Sequence, residues 1–133
     1  MSHRYGIDTS VFVRLLTGDP EAEYEKTVGR LQKRLEAKPQ AEFFVSNQVI
    51  GEAYIALQHH YGITKTAAKA AMLSVLTSGL CSPLNGASVM EVLQSDRGCG
   101  LLDRLIADDY DGKGMKVLTN DRKMSRLESS EKL

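Results

Sequence analysis

The chain has 133 residues, 17 of them basic and 17 acidic, so its formal net charge is zero. That length suits one domain with its own core, needing no metal or disulfide staple, and a zero balance excludes nucleic-acid binding through bulk positive charge. No apolar run nears the roughly 18 residues of a membrane span, and the opening MSHRYG lacks a signal peptide's apolar stretch, which predicts a cytoplasmic protein.

In chain order, Tyr5 to Asp8 reads as a short strand ending on an acid. Val11 to Leu16 is apolar and fits a first helix, broken by Gly18-Asp19-Pro20. Pro20 then opens a charged helix over Glu21 to Ala37, with Val28, Leu31 and Leu35 at helical spacing. Glu42 to Val45 is a second strand. Ser46 or Asn47 caps the next helix, which runs to Tyr61 and stops at Gly62. Thr64 caps an alanine-rich helix to Ser78. A brief strand is predicted at Leu80 to Ser82, and Asn85 is expected to cap a helix to Gln94. After the break at Gly98-Cys99-Gly100, a helix covers Leu101 to Tyr110. Lys116 to Thr119 is the last strand, a short helix follows Asn120, and the tail SSEKL is expected to fray. Strands separated by helices predict an α/β fold with a mainly parallel sheet, and without a linker or repeat residues 1–133 form a single domain.

In an open parallel sheet, chemistry sits beyond the carboxyl ends of the strands. Asp8 ends the first strand and Asp121 lies two residues past the last one. Glu52 lies in the second turn of one helix and Asp103 in the first turn of another. Each projects roughly 130° from its helix's apolar centre. For Glu52 that centre is Val49, Ile50, Ala53, Tyr54 and Leu57; for Asp103 it is Leu101, Leu102, Leu105 and Ile106. All four acids can therefore reach one rim. Crowded carboxylates repel unless a cation joins them. An all-oxygen donor set suits Mg²⁺ or Mn²⁺, the ions of phosphodiester chemistry. Taken singly, each acid also has a bland role: a solvated face, a dipole partner or an Asx-turn.

The residues carry a resemblance. GIDTSVFVRLLTGDP resembles the first motif of PIN domains, particularly the VapC-type toxins of prokaryotic toxin–antitoxin pairs. VSNQVIGEAYIAL, GLLDRLIADDY and VLTNDRKMSRL resemble the second, third and fourth motifs, in order and across essentially the whole chain. The resemblance implies a PIN-like three-layer α/β/α sandwich with a short, mainly parallel central sheet. It implies a metal-dependent ribonuclease that uses Mg²⁺ or Mn²⁺, acts as a homodimer and is neutralised by a small antitoxin protein. It marks Asp8, Glu52, Asp103 and Asp121 as the metal-binding catalytic acids, with Thr9, Ser10 and Thr119 as supporting hydroxyls. Two alternatives share these residues: a PIN nuclease of RNA processing, and a PIN-like binding module with a degraded site. Many relatives carry a further acid three residues before the third-motif Asp, where this chain has Gly100; Asp96 and Asp108 are the nearby acids that could compensate. Asp109 falls on the apolar face of its helix and reads as a fraying end.

Other residues have weaker claims. Arg14 could meet a phosphate or an antitoxin carboxylate. Arg122 and Lys123, with Lys113, Lys116 and Arg126, form the most basic stretch and could steer RNA phosphates. His59 and His60 are adjacent, face different sides of a helix and cannot easily share an ion. Cys81 and Cys99 have no metal-ligand spacing and read as buried reduced thiols. A phosphatase with Asp8 as nucleophile would want a second acid two residues later, where Ser10 stands.

Overall fold

A computed structural model describes residues 3–96 and 98–133; Met1 and Ser2 of the opening stretch lie outside it. Strand β1 (Arg4–Ile7) leads into α1 (Thr9–Thr17) and α2 (Glu21–Ala37). Strand β2 (Glu42–Val45) leads into α3 (Asn47–Tyr61) and α4 (Lys65–Leu76). Strand β3 (Ser82–Pro83) precedes α5 (Ser88–Gln94) and α6 (Leu101–Asp111). Strand β4 (Val117–Thr119), a 3-10 turn at Met124–Arg126 and β5 (Ser130–Lys132) complete the order.

Local chemistry sets most of these boundaries. Ser46 and Thr64 accept the backbone N–H of Val49 and Ala67 and so cap α3 and α4. Gly18 and Gly62 close α1 and α3 at φ 64° and 62°, a left-handed geometry that glycine adopts without a Cβ clash.

The strands β1, β2 and β3 form a parallel sheet in that order, with Ile7 beside Val45 and Val45 beside Pro83. Val45, Phe12, Ile50, Leu57 and Met72 are sealed in a core shared by this sheet and helices α1, α3 and α4. Burial of such side chains stabilises by roughly 1.5–3 kcal/mol each. The chain is thus an α/β protein with a short parallel sheet.

Four expectations need correction. The strand β4 does not join the β1-β2-β3 sheet; it pairs in parallel with β5, and Met124 packs beneath that pair in a small second core. The tail is accordingly not frayed: Ser130 is buried, and its neighbours pair with Leu118 and Thr119. Asn85 does not cap α5, which starts at Ser88 without a side-chain cap, because the Asn85 amide is drawn to Asp108 and Asp109. The brief third strand sits later than Leu80, at Ser82–Pro83, where Val45 offers it a neighbour.

Candidate acidic site

Asp8 stands between β1 and α1 and is the N-cap of that helix. Its Oδ1 accepts from the Val11 backbone N–H at 3.1 Å and from the Ser10 hydroxyl at 2.8 Å. The Ser10 hydroxyl, then the Val11 N–H, hold its carboxyl below the ordinary 3.8, so it is ionised at neutral pH. Helix-end N–H groups favour a negative charge there for the same reason.

The neighbouring Thr9 hydroxyl donates to Glu52 Oε1 at 2.9 Å across 43 residues of sequence. Gln48, one turn earlier on α3, donates to the other oxygen of Glu52 at 3.1 Å. Both carboxylate oxygens of Glu52 are therefore oriented although the side chain is exposed. Sequence reading missed Gln48, and its i, i+4 spacing to Glu52 is the signal that would have found it.

Asp103 stands in the first turn of α6, and Asp121 follows β4. Burial pushes the Cys99 thiol up, against the pull of the Arg104 guanidinium, and the carboxylates of Asp103 and Asp121 push it the same way. Asp121 Oδ1 accepts the Met124 N–H at 2.7 Å, and the Asp121 N–H donates to Thr119 Oγ1 at 3.0 Å. Thr119 holds the backbone of the last acid as Ser10 holds the side chain of the first.

Asp8 and Glu52 are thus linked through Thr9, the residue between Asp8 and Ser10. Among the described residues, no group of three or more His, Cys, Asp or Glu stands in position to hold a metal ion. The donor chemistry, all hard oxygens, suits Mg²⁺ or Mn²⁺; the arrangement of the four does not form a finished cage.

The remaining candidates have other engagements. Arg14 donates to the Asp19 carbonyl at 3.1 Å, closing the turn after α1. Arg122 and Lys123 are exposed beside Asp121. Asp96 pairs with Lys69 at 2.8 Å, and Asp108 accepts from the amides of Asn47 and Asn85, so neither stands in for an acid at Gly100. Asp109 is not a fraying end; it accepts from Asn85 at 2.6 Å and lines a groove between α3 and α6. The face of α6 opposite its buried Leu101, Leu105 and Ala107 leaves Leu102 and Ile106 exposed in that groove.

The fold is an α/β domain whose first strand delivers an ionised Asp onto a helix start, with further acids on α3, on α6 and after β4. The chain belongs to the PIN-domain family: the PIN domain model matches residues 5–129. Among solved structures, it is similar to the crystal structure of Mycobacterium tuberculosis VapC20, described as a sarcin–ricin loop cleaving toxin. The identity is 21% over 92% of each chain, with a TM-score of 0.39. No curated protein sequence matches the chain.

Proposed function

We propose that this PIN-domain chain is a divalent-metal-dependent ribonuclease and the toxin half of a toxin–antitoxin pair. What supports the reading is family membership over residues 5–129 together with one observation: the Asp8-Thr9-Ser10 corner, in which one acid is held ionised and the next residue orients Glu52. Asp8, Glu52, Asp103 and Asp121 would hold Mg²⁺ or Mn²⁺. Drawing the four carboxylates together brings like charges close, a cost that a divalent cation offsets. When bound, such an ion would supply the activation of water and the neutralisation of phosphodiester charge that these residues lack. The chain's own residues aim the acids: Ser10 holds Asp8 and keeps it ionised, Thr9 and Gln48 orient Glu52, and Thr119 holds the backbone of Asp121. Arg122 and Lys123, exposed next to Asp121, would steer the RNA backbone toward them.

The proposed assembly is a homodimer. Leu102, Ile106, Tyr110 and Met115, with Ile55 of α3, make one exposed apolar stripe over the α3–α6 groove, each 39–47% exposed. Glu52 borders one end and Lys113 the other. A second copy turned end for end would cover the stripe.

The test is RNA cleavage by purified protein with Mn²⁺ or Mg²⁺, with EDTA and Asp8→Asn as controls. Metal-dependent cleavage lost in the variant supports the reading; an inert, folded, antitoxin-free wild type overturns it. Gly100, where many relatives carry an acid, and the lack, among the described residues, of three or more acids placed to share an ion favour a second reading, a PIN-like binding module. RNA and metal binding without cleavage identifies that module. A small antitoxin-like reading frame beside the gene separates a toxin from an RNA-processing nuclease.

A further inference from the structure

Asn47 is a buried polar residue at the first position of α3, 4% exposed. Its amide donates to the Leu105 carbonyl at 3.0 Å and to Asp108 Oδ2 at 2.8 Å, while its own Oδ1 has no partner among the described residues. Burying an amide with an unsatisfied oxygen costs stability that a leucine there would not. Such groups are kept where they fix one arrangement among several.

The arrangement fixed here is the register of α3 against α6. The two helices touch at a second point: a Cβ on Gly51 would come within 3.0 Å of Leu102 Cδ2. Moving from Asn47 to Gly51 moves the contact back from Leu105 and Asp108 to Leu102, so the helices run antiparallel. Two fastenings about 6 Å apart along α3 set both slide and tilt. Glu52 is the fifth residue after Asn47 and Asp103 the fifth before Asp108. Both lie about 7.5 Å along the pair from the clasp, at one level. Asn85 adds a third hold, donating to Asp108 at 3.3 Å and to Asp109 at 2.6 Å from the loop after β3.

We propose that Asn47 and Asp108 are positioning residues: their hydrogen bond locks the α3–α6 register that presents Glu52 and Asp103 at a common level. The effect on metal binding rests on the acidic-site reading above; the register lock itself does not. Asp108 acts as a hydrogen-bond acceptor and not as a metal ligand, so an amide in its place suffices.

The experiment compares Asn47→Leu, Asp108→Ala and Asp108→Asn in the full chain, each first shown folded by circular dichroism. Amide hydrogen exchange along α6 reads the register lock, and calorimetric titration with Mn²⁺ reads the acids. Asn47→Leu and Asp108→Ala are expected to speed exchange in α6 and to weaken Mn²⁺ binding about tenfold, as loss of an outer partner does elsewhere. Asp108→Asn is expected to match the wild type in both. Unchanged α6 exchange in the first two variants overturns the lock. An Asp108→Asn variant as impaired in Mn²⁺ binding as Asp108→Ala overturns the acceptor role and makes Asp108 a ligand. If the wild type itself takes up no Mn²⁺, the acidic-site reading fails, and the exchange data still decide the lock.

Discussion

Asp8 has two jobs that one substitution would confuse and two substitutions separate. As the N-cap of α1 it accepts the Val11 N–H and the Ser10 hydroxyl. Asp8→Ala removes both bonds, and loss of such a cap costs about 1 kcal/mol. For 133 residues the unfolding entropy near the midpoint is about 0.28 kcal/mol/K. The expected fall in Tm is therefore about 4 °C. Asn caps a helix as well as Asp does, so Asp8→Asn is expected to hold Tm within about 1 °C of wild type. It is nonetheless expected to abolish metal-dependent cleavage, because a neutral amide is a poor partner for a hard cation. The pH dependence has a definite sign. The folded carboxyl is depressed below 3.8, so its contribution is complete above that value and is lost as pH falls through the folded pKa. The gap in Tm between wild type and Asp8→Ala should then close in acid. Scanning calorimetry and a cleavage assay on the same samples make the check. Equal losses of Tm in the two variants would refute the capping argument, and cleavage by Asp8→Asn would refute the catalytic one.

Three further outcomes are expected. Ile106→Asp places a charge in the apolar stripe and should weaken self-association roughly tenfold or more by sedimentation velocity, whereas Leu84→Asp, away from the stripe, should not. Thr9→Val deletes the donor to Glu52 without changing shape and should lower kcat about tenfold with little effect on folding; an unchanged kcat would mean that Gln48 alone orients Glu52. Burial pushes the Cys81 thiol from 9.0 up to about 11. Stability from keeping that thiol neutral is whole below pH 9 and lost as pH rises through about 11. The wild type should therefore show an alkaline fall in stability that Cys81→Ala lacks, read by urea titration across that range.

The legible parts of the chain were those governed by local rules. The helices α2 and α3 and the strand β2 lie where heptad-like spacing, Ser46 and Gly62 put them. Buried Cys81 and Cys99 and exposed His59 and His60 also agree with what their spacing implied. Illegible were features decided by distant partners. Asn85 has a good cap's chemistry, but Asp108 and Asp109, more than twenty residues on, compete for its amide. The tail SSEKL is polar and resembles a frayed end, yet β4 offers it a parallel partner. Periodicity on α6 gathered four apolar residues without saying that Leu102 and Ile106 would be left outside. Of the acids, the sequence located Asp8 and Asp121 at strand ends. The hydrogen bond from Thr9 to Glu52, across 43 residues, is what no spacing reveals.

The capping role of Asp8 has an evolutionary consequence. A descendant that no longer cuts RNA is still under selection to start α1, and Asp, Asn and Ser serve that purpose almost equally. Drift would first exchange Asp8 for one of these and leave the rest of the opening motif in place. A lineage could thus retire the chemistry while keeping the look of it, and the smallest change from acid to amide at this corner would separate a nuclease from its silent cousin.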